Sequence, residues 1–201
     1  MFIVIEGLDG SGKSTQVRRL GEFFAARGED CLITRLPADN EIGKLARAAT
    51  QGVFSAESEA LALLFAADMA QHHFEEVAPA LTRGEHVICD RYYYSTMAYQ
   101  GENDDAITRI LAYNRYLRSL CRPDAVIFLD IEPSECMRRI SATRTEISIY
   151  ETADKLKHLR ERFHVIFDRL SKTENIHIIG GGDEDAVFEK ILHKIAPLCS
   201  N

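Results

Sequence analysis

The chain has 201 residues, of which 46% are hydrophobic and 27% charged, with a formal net charge of −7. That is the composition of one soluble globular domain, able to bury about 70% of its unfolded surface without a metal or disulfide staple. The acidic balance argues against a nucleic-acid binder, so positive charge meant for anionic phosphates must be gathered in a cleft. Five scattered cysteines (Cys31, Cys89, Cys121, Cys136, Cys199), without a Cys-x-x-Cys pair, fit reduced thiols in the cytoplasm. Cys89, inside an apolar run, reads as core. The start at Phe2-Ile3-Val4-Ile5 has no basic n-region or cleavage site and reads as no signal peptide. The longest apolar stretch, residues 60–67, is too short to span a bilayer. No membrane partner is expected.

In chain order, residues 2–6 read as a strand and 13–27 as a helix closed by Gly28. A strand at 30–34 follows, then a helix running towards Thr82 with Ser55 as its cap. His72 and His73, adjacent on that helix, read as surface residues rather than metal ligands. A strand at 86–90 precedes a helix at 103–121, which stops before Arg122-Pro123. Residues 125–130 form the next strand, and 134–141 a helix opening after Pro133. A helix at 152–170, a strand at 175–179 and a helix at 184–196 complete the pattern. Gly180-Gly181-Gly182 reads as a strand-to-helix turn, with an adenine-side loop as the alternative.

Several of these strands are almost wholly apolar, as in a parallel sheet covered on both faces. The alternation predicts one α/β domain over 1–201, a three-layer sandwich around a five-stranded parallel sheet. The polar segment 143–150, between two helices, is the candidate lid.

Gly7-Leu8-Asp9-Gly10-Ser11-Gly12-Lys13-Ser14 matches G-x-x-x-x-G-K-[ST] in full, after a predicted strand and at the opening of a predicted helix. Glycines in such a loop turn backbone N–H groups towards phosphate oxygens, and the helix N-terminus adds partial positive charge. Lys13 reaches the β- and γ-phosphates and the Ser14 hydroxyl meets Mg²⁺. The ATP-binding set is therefore Gly7 to Ser14 with Thr15. A regulatory GTPase would need a guanine-reading Asn-Lys-x-Asp, which the sequence lacks.

The strand at 86–90 ends in Asp90-Arg91, where ligands of parallel sheets bind. Asp90 suits a magnesium water and Arg91 a bidentate grip on an anion, a structural ion pair being the competing reading. Asp90-Arg91-Tyr92-x-x-Ser95-Thr96-x-Ala98-Tyr99-Gln100 resembles the signature of the thymidylate kinase family. Leu64-Phe65-Ala66-Ala67-Asp68 resembles its base-stacking helix, Arg35-x-Pro37 its substrate-side turn, and Pro123-Asp124 before Leu129-Asp130 falls in the expected order.

The resemblance implies a P-loop NTPase-type fold and transfer of the ATP γ-phosphoryl to dTMP, giving dTDP. It places Phe65 on the thymine ring, Thr96 and Gln100 at the base edge, and Tyr99 against the deoxyribose. Ser95 and Pro37 join them in the acceptor site, where Arg91 and Arg35 hold the phosphate. The resemblance places Asp9 near the transferring group or gives it a part in ordering Mg²⁺. Tyr93 and Tyr94 remain packing residues. The resemblance also implies a homodimer.

Four departures stand out. The P-loop carries no arginine, so Arg138, Arg139 and Arg144 flanking the lid are the candidates, with Arg144 assigned to the transferring phosphoryl and Arg139 to the ATP side. The lid ends Ser148-Ile149-Tyr150-Glu151, without the family's further Asp-Arg. Met69 stands where the family has an arginine after Asp68. The turn reads Arg35-Leu36-Pro37-Ala38-Asp39-Asn40 in place of Arg-Glu-Pro-Gly-Gly. Two alternatives remain: a deoxynucleoside kinase using Glu6 as base, and a nucleotide-binding regulator without turnover.

Overall fold

The computed structural model describes residues 1–143 and 152–199. Five strands form one parallel sheet in the order β2-β3-β1-β4-β5: β1 (Phe2–Gly7), β2 (Cys31–Arg35), β3 (His86–Asp90), β4 (Ala125–Asp130) and β5 (Ile176–Gly180). Each predicted strand is present with ends displaced by at most one residue. Central β1 is buried along its whole length, as its unbroken apolar run demands.

The pleat sends alternate side chains to opposite faces. On one face, His86 of β3 stacks on Phe24 of α1 (Lys13–Ala26), and Phe23 meets Phe188 of α10 (Glu184–Ile195). On the other, Phe128 of β4 meets Phe163 and Phe167 of α9 (Ala153–Leu170), while Tyr94 of α5 (Tyr93–Gln100) also touches Phe167. Cys89 is fully buried. Tyr93 and Tyr94 are packing residues, their hydroxyls donating to Glu174, which also takes Arg118.

Several local readings change. Ser55 is not the cap: α3 (Ser58–His72) starts from Glu57, which makes no side-chain capping bond. The helix then loosens into a π segment (His73–Val77) before α4 (Ala78–Thr82). His72 and His73 are buried, not on the surface; Nε2 of His72 lies 2.7 Å from Thr34 Oγ1. Packing against β2 overrides the polarity that suggested exposure.

The helix expected at 103–121 breaks at Asn114 into α6 (Asp104–Tyr113) and α7 (Arg115–Leu120), where the buried Asn114 amide donates to Ile110 O. A side chain that bonds its own preceding turn competes with the helix ladder. Two helices were not anticipated: α2 (Glu41–Thr50), capped by Asn40 Oδ1 accepting from Gly43 N, and α5. After α8 (Pro133–Thr143), the expected lid at 143–150, like Arg144, falls outside the described residues but for the helix-ending Thr143.

Candidate active site

The strand order reverses direction at β1, whose neighbours are β3 and β4, and a parallel sheet opens a crevice at such a point. The phosphate loop leaves β1 there and enters α1 at Lys13. Gly10 has φ 77°, and a Cβ on it would lie 2.5 Å from Cys136 O. Gly12, the N-cap of α1, is also left-handed at φ 96°. Both positions demand glycine.

Lys13 is 7% exposed and arches back over the loop, donating to Gly7 O at 3.0 Å and Leu8 O at 2.9 Å. Burial pushes its ammonium below the usual lysine range, and the neighbouring Arg91 charge pushes the same way. Ser14 is exposed at the mouth.

Arg91 follows β3 with φ 72°, the one non-glycine with positive φ among the described residues. Such a conformation costs on the order of 1–3 kcal/mol and points to a functional constraint. Its Nη1 donates to Ser95 Oγ at 3.0 Å, its Nη2 donates to Asp9 Oδ1, and the guanidinium lies 5.4 Å over the Tyr99 ring. Asp9 thus joins the phosphate loop to the strand-end arginine.

These groups face a cleft of about 600 Å³. Five cationic side chains line it (Lys13, Arg35, Arg47, Arg91, Arg139) against two anionic ones, Asp9 and Asp90. A protein of net charge −7 thus carries a local cationic surplus in this cleft, as anionic ligands require. Thr15 and Pro37 are on the same wall.

Arg47 was missed from sequence. It sits on the unanticipated α2, donating to Asp39 Oδ1 at 3.0 Å and Pro37 O at 2.8 Å. Arg35 also approaches Asp39, at 3.5 Å. The signal was available: Asn40 caps a turn with Glu41 in it, and Arg47 lies two turns on. Arg139 bonds Glu135 at 2.7 Å and brings Nη1 to 3.5 Å from Ser11 O, whereas Arg138 is a surface partner of the same Glu135. Together the two guanidiniums bring the Glu135 carboxyl down to about 2.

The residues expected at the base and sugar lie apart from this lining, on the packed pair α3 and α5. Phe65 is half-buried, Thr96 and Gln100 are buried, and Tyr99 lies beneath Arg91. Met69 is core, and buried Asp68 accepts from Ala38 N, tying α3 to the turn after Pro37. Gly180-Gly181-Gly182 links β5 to α10, whose N-cap is Asp183.

A phosphate loop at the switch point of a parallel sheet, facing a strand-end arginine across a basic cleft, defines a P-loop phosphotransferase. The family model described as Thymidylate kinase matches residues 5–191. A probable thymidylate kinase of Pyrococcus horikoshii is 42% identical, the match covering 88% of this chain and 91% of the relative. Another, from Thermococcus onnurineus, is 38% identical over 88% and 93%. A thymidylate kinase of Xanthomonas euvesicatoria pv. vesicatoria is 35% identical over 94% and 80%. The chain belongs to the thymidylate kinase family. It is a nucleoside monophosphate kinase with ATP as phosphate donor.

Proposed function

We propose that the protein transfers the γ-phosphoryl group of ATP to dTMP in this cleft, giving dTDP and ADP, with the residues acting as follows. The reading rests on one observation: Lys13, where the loop from β1 enters α1, and Arg91, at the end of the adjacent β3, converge through Asp9 on a single cleft. The amides from Gly7 to Ser14, with Thr15, cradle the donor phosphates, and Lys13 neutralises charge on the β- and γ-groups. Arg139 flanks the donor. Arg91 and Arg35 grip the acceptor phosphate, joined by Arg47.

An oxygen of that phosphate attacks the γ-phosphorus as the bond to the β–γ bridging oxygen breaks, and ADP carries the electron pair away. The attacking oxygen is already ionised at neutral pH, so positioning and charge neutralisation suffice. Ser14 and Asp90 line the cleft, and Asp90 Oδ1 has no protein hydrogen-bond partner among the described residues. These oxygen donors fit Mg²⁺, which would neutralise charge developing on the transferring group.

Phe65 stacks on thymine, with Thr96 and Gln100 on its edge and Tyr99 beside the sugar; Gln100 Oε1, buried without a protein partner among the described residues, suits that task. Glu6 is fully buried, with both oxygens accepting bonds from the α5 turn. That placement counts against a base acting on a neutral 5′-hydroxyl. ADP release measured with dTMP, dUMP, UMP, CMP, AMP and thymidine tests the assignment, and dTMP should give the highest kcat/KM. Turnover of thymidine with none of any monophosphate would sink it.

A homodimer is the proposed assembly. Leu63, Ala67 and Ala70 share one face of α3, and Phe74 follows a turn on, with Leu63 48% and Phe74 55% exposed. Two copies of such a stripe pack across a two-fold axis. Light scattering should report twice the 22.7 kDa chain mass, and Ala67→Glu should halve it; a monomeric wild type at tens of micromolar removes the proposal. No helix of the described residues is long and apolar enough to cross a membrane, and a cytoplasmic location accords with the free cysteines.

A further inference from the structure

Glu6 stands one residue before the phosphate loop, completely buried, on the sheet face that carries α5. Three donors reach its carboxylate. Tyr92 N and Ser95 N donate to Oε1 at 2.8 and 3.2 Å, and Ser95 Oγ donates to Oε2 at 2.7 Å. Tyr92 and Ser95 bracket the first turn of α5, whose N-cap, Tyr92, makes no side-chain capping bond. A carboxylate from a neighbouring strand therefore caps this helix, satisfying the Tyr92 N–H that the helix leaves open and sharing the Ser95 N–H, which also bonds Tyr92 O at 3.1 Å.

The residue before that cap is Arg91, held at φ 72°. A left-handed arginine persists only where its surroundings over-determine it. Here the surroundings are Arg91 N bonding Ile5 O at 3.0 Å and the Glu6 bonds immediately after it. The side chain is steered as well. Because the Ser95 hydroxyl donates to Glu6, its lone pairs are open to Arg91 Nη1, which donates at 3.0 Å. That contact leaves Nη2 directed at Asp9.

We propose that Glu6 is a positioning residue for the acceptor phosphate: through the α5 cap and the Ser95 hydroxyl it sets the backbone and guanidinium of Arg91. It touches no reacting atom. The assignment rests on the dTMP reading above and deepens it, since the group it aims is the acceptor arginine.

Glu6→Gln keeps the size and one acceptor oxygen but turns an amide donor towards Ser95 Oγ. The Ser95 hydroxyl then loses its carboxylate acceptor and must turn its proton away from the new amide, which reorients the lone pairs that hold Arg91 Nη1. Calorimetric titration of the full chain with dTMP, and separately with Mg-ATP, reads the consequence. The dTMP dissociation constant should rise about tenfold or more, as expected for a disturbed charged hydrogen bond. The Mg-ATP constant should stay within about threefold. Ser95→Ala, which removes only the bridge, should shift dTMP binding the same way by a smaller factor, and it carries the test alone if Glu6→Gln does not fold.

In an Arg91→Ala background, Glu6→Gln should add no more than about twofold, because groups that act through one another are not additive. Equal losses for dTMP and Mg-ATP, an undiminished penalty in the Arg91→Ala background, or normal dTMP binding by folded Glu6→Gln (or by Ser95→Ala) would each overturn the assignment. A wild type that binds no dTMP removes both the reading and the assignment. Wild-type binding with an unaffected variant removes the assignment alone.

Discussion

Replacing Arg91 by alanine should lower kcat/KM for dTMP by about 10³, the scale of losing a positioned charged donor in a dehydrated site. The guanidinium is shielded by Tyr99 on one side and bonded to Ser95 and Asp9 on the other, so solvent screens it little. Its loss removes the acceptor grip and also leaves Asp9 facing the phosphates without its nearest guanidinium. Both effects oppose two anions meeting in one cleft. Arg91→Lys should recover only part of the activity, because an ammonium cannot span Ser95 and Asp9 with a planar fork. Steady-state kinetics with varied dTMP check this, and near-normal values for Arg91→Ala would strip it of the role.

Lys13→Met is expected to lower kcat by about 10³ while leaving the thermal midpoint unchanged or higher. The two halves share one cause. Lys13 is a buried ammonium held below its ordinary value of 10.5 by desolvation and then by Arg91. Folding thus disfavours its charged form. The penalty is fully present below the depressed folded value and fades as pH rises from there towards 10.5. An apolar side chain of similar length relieves it, offsetting the lost bonds to Gly7 O and Leu8 O. In the proposed role, the same poorly hydrated charge would act strongly on phosphate oxygens. Thermal melts beside kcat measurements test the trade-off; a large fall in the midpoint, or retained kcat, contradicts it.

Legibility followed the range of the interactions. Gly10 and Gly12 could be read because their left-handed backbone is a property of the residues themselves. The strands were legible to within one residue, because runs such as Ala125–Asp130 have no other stable use than a covered parallel sheet. The break of the 103–121 helix at Asn114 was not read, and the His72–His73 pair was misjudged, because their fate depends on what packs over them. Arg47 was overlooked with α2, a short helix whose cap signal at Asn40 is local but whose contact with α3 is not.

By itself the sequence determined the phosphate loop, the five strands and the strand-end Asp90-Arg91, each encoded within a few adjacent residues. Only the tertiary structure decided which charges meet. Asp9 and Arg91 are 82 residues apart in the chain and in contact because β1 and β3 are neighbours. That adjacency joins the phosphate loop to the strand-end arginine proposed to hold the acceptor, and it buries Glu6 against the α5 turn. Electrostatics acts through space, and strand order, which no local pattern carries, sets the distances.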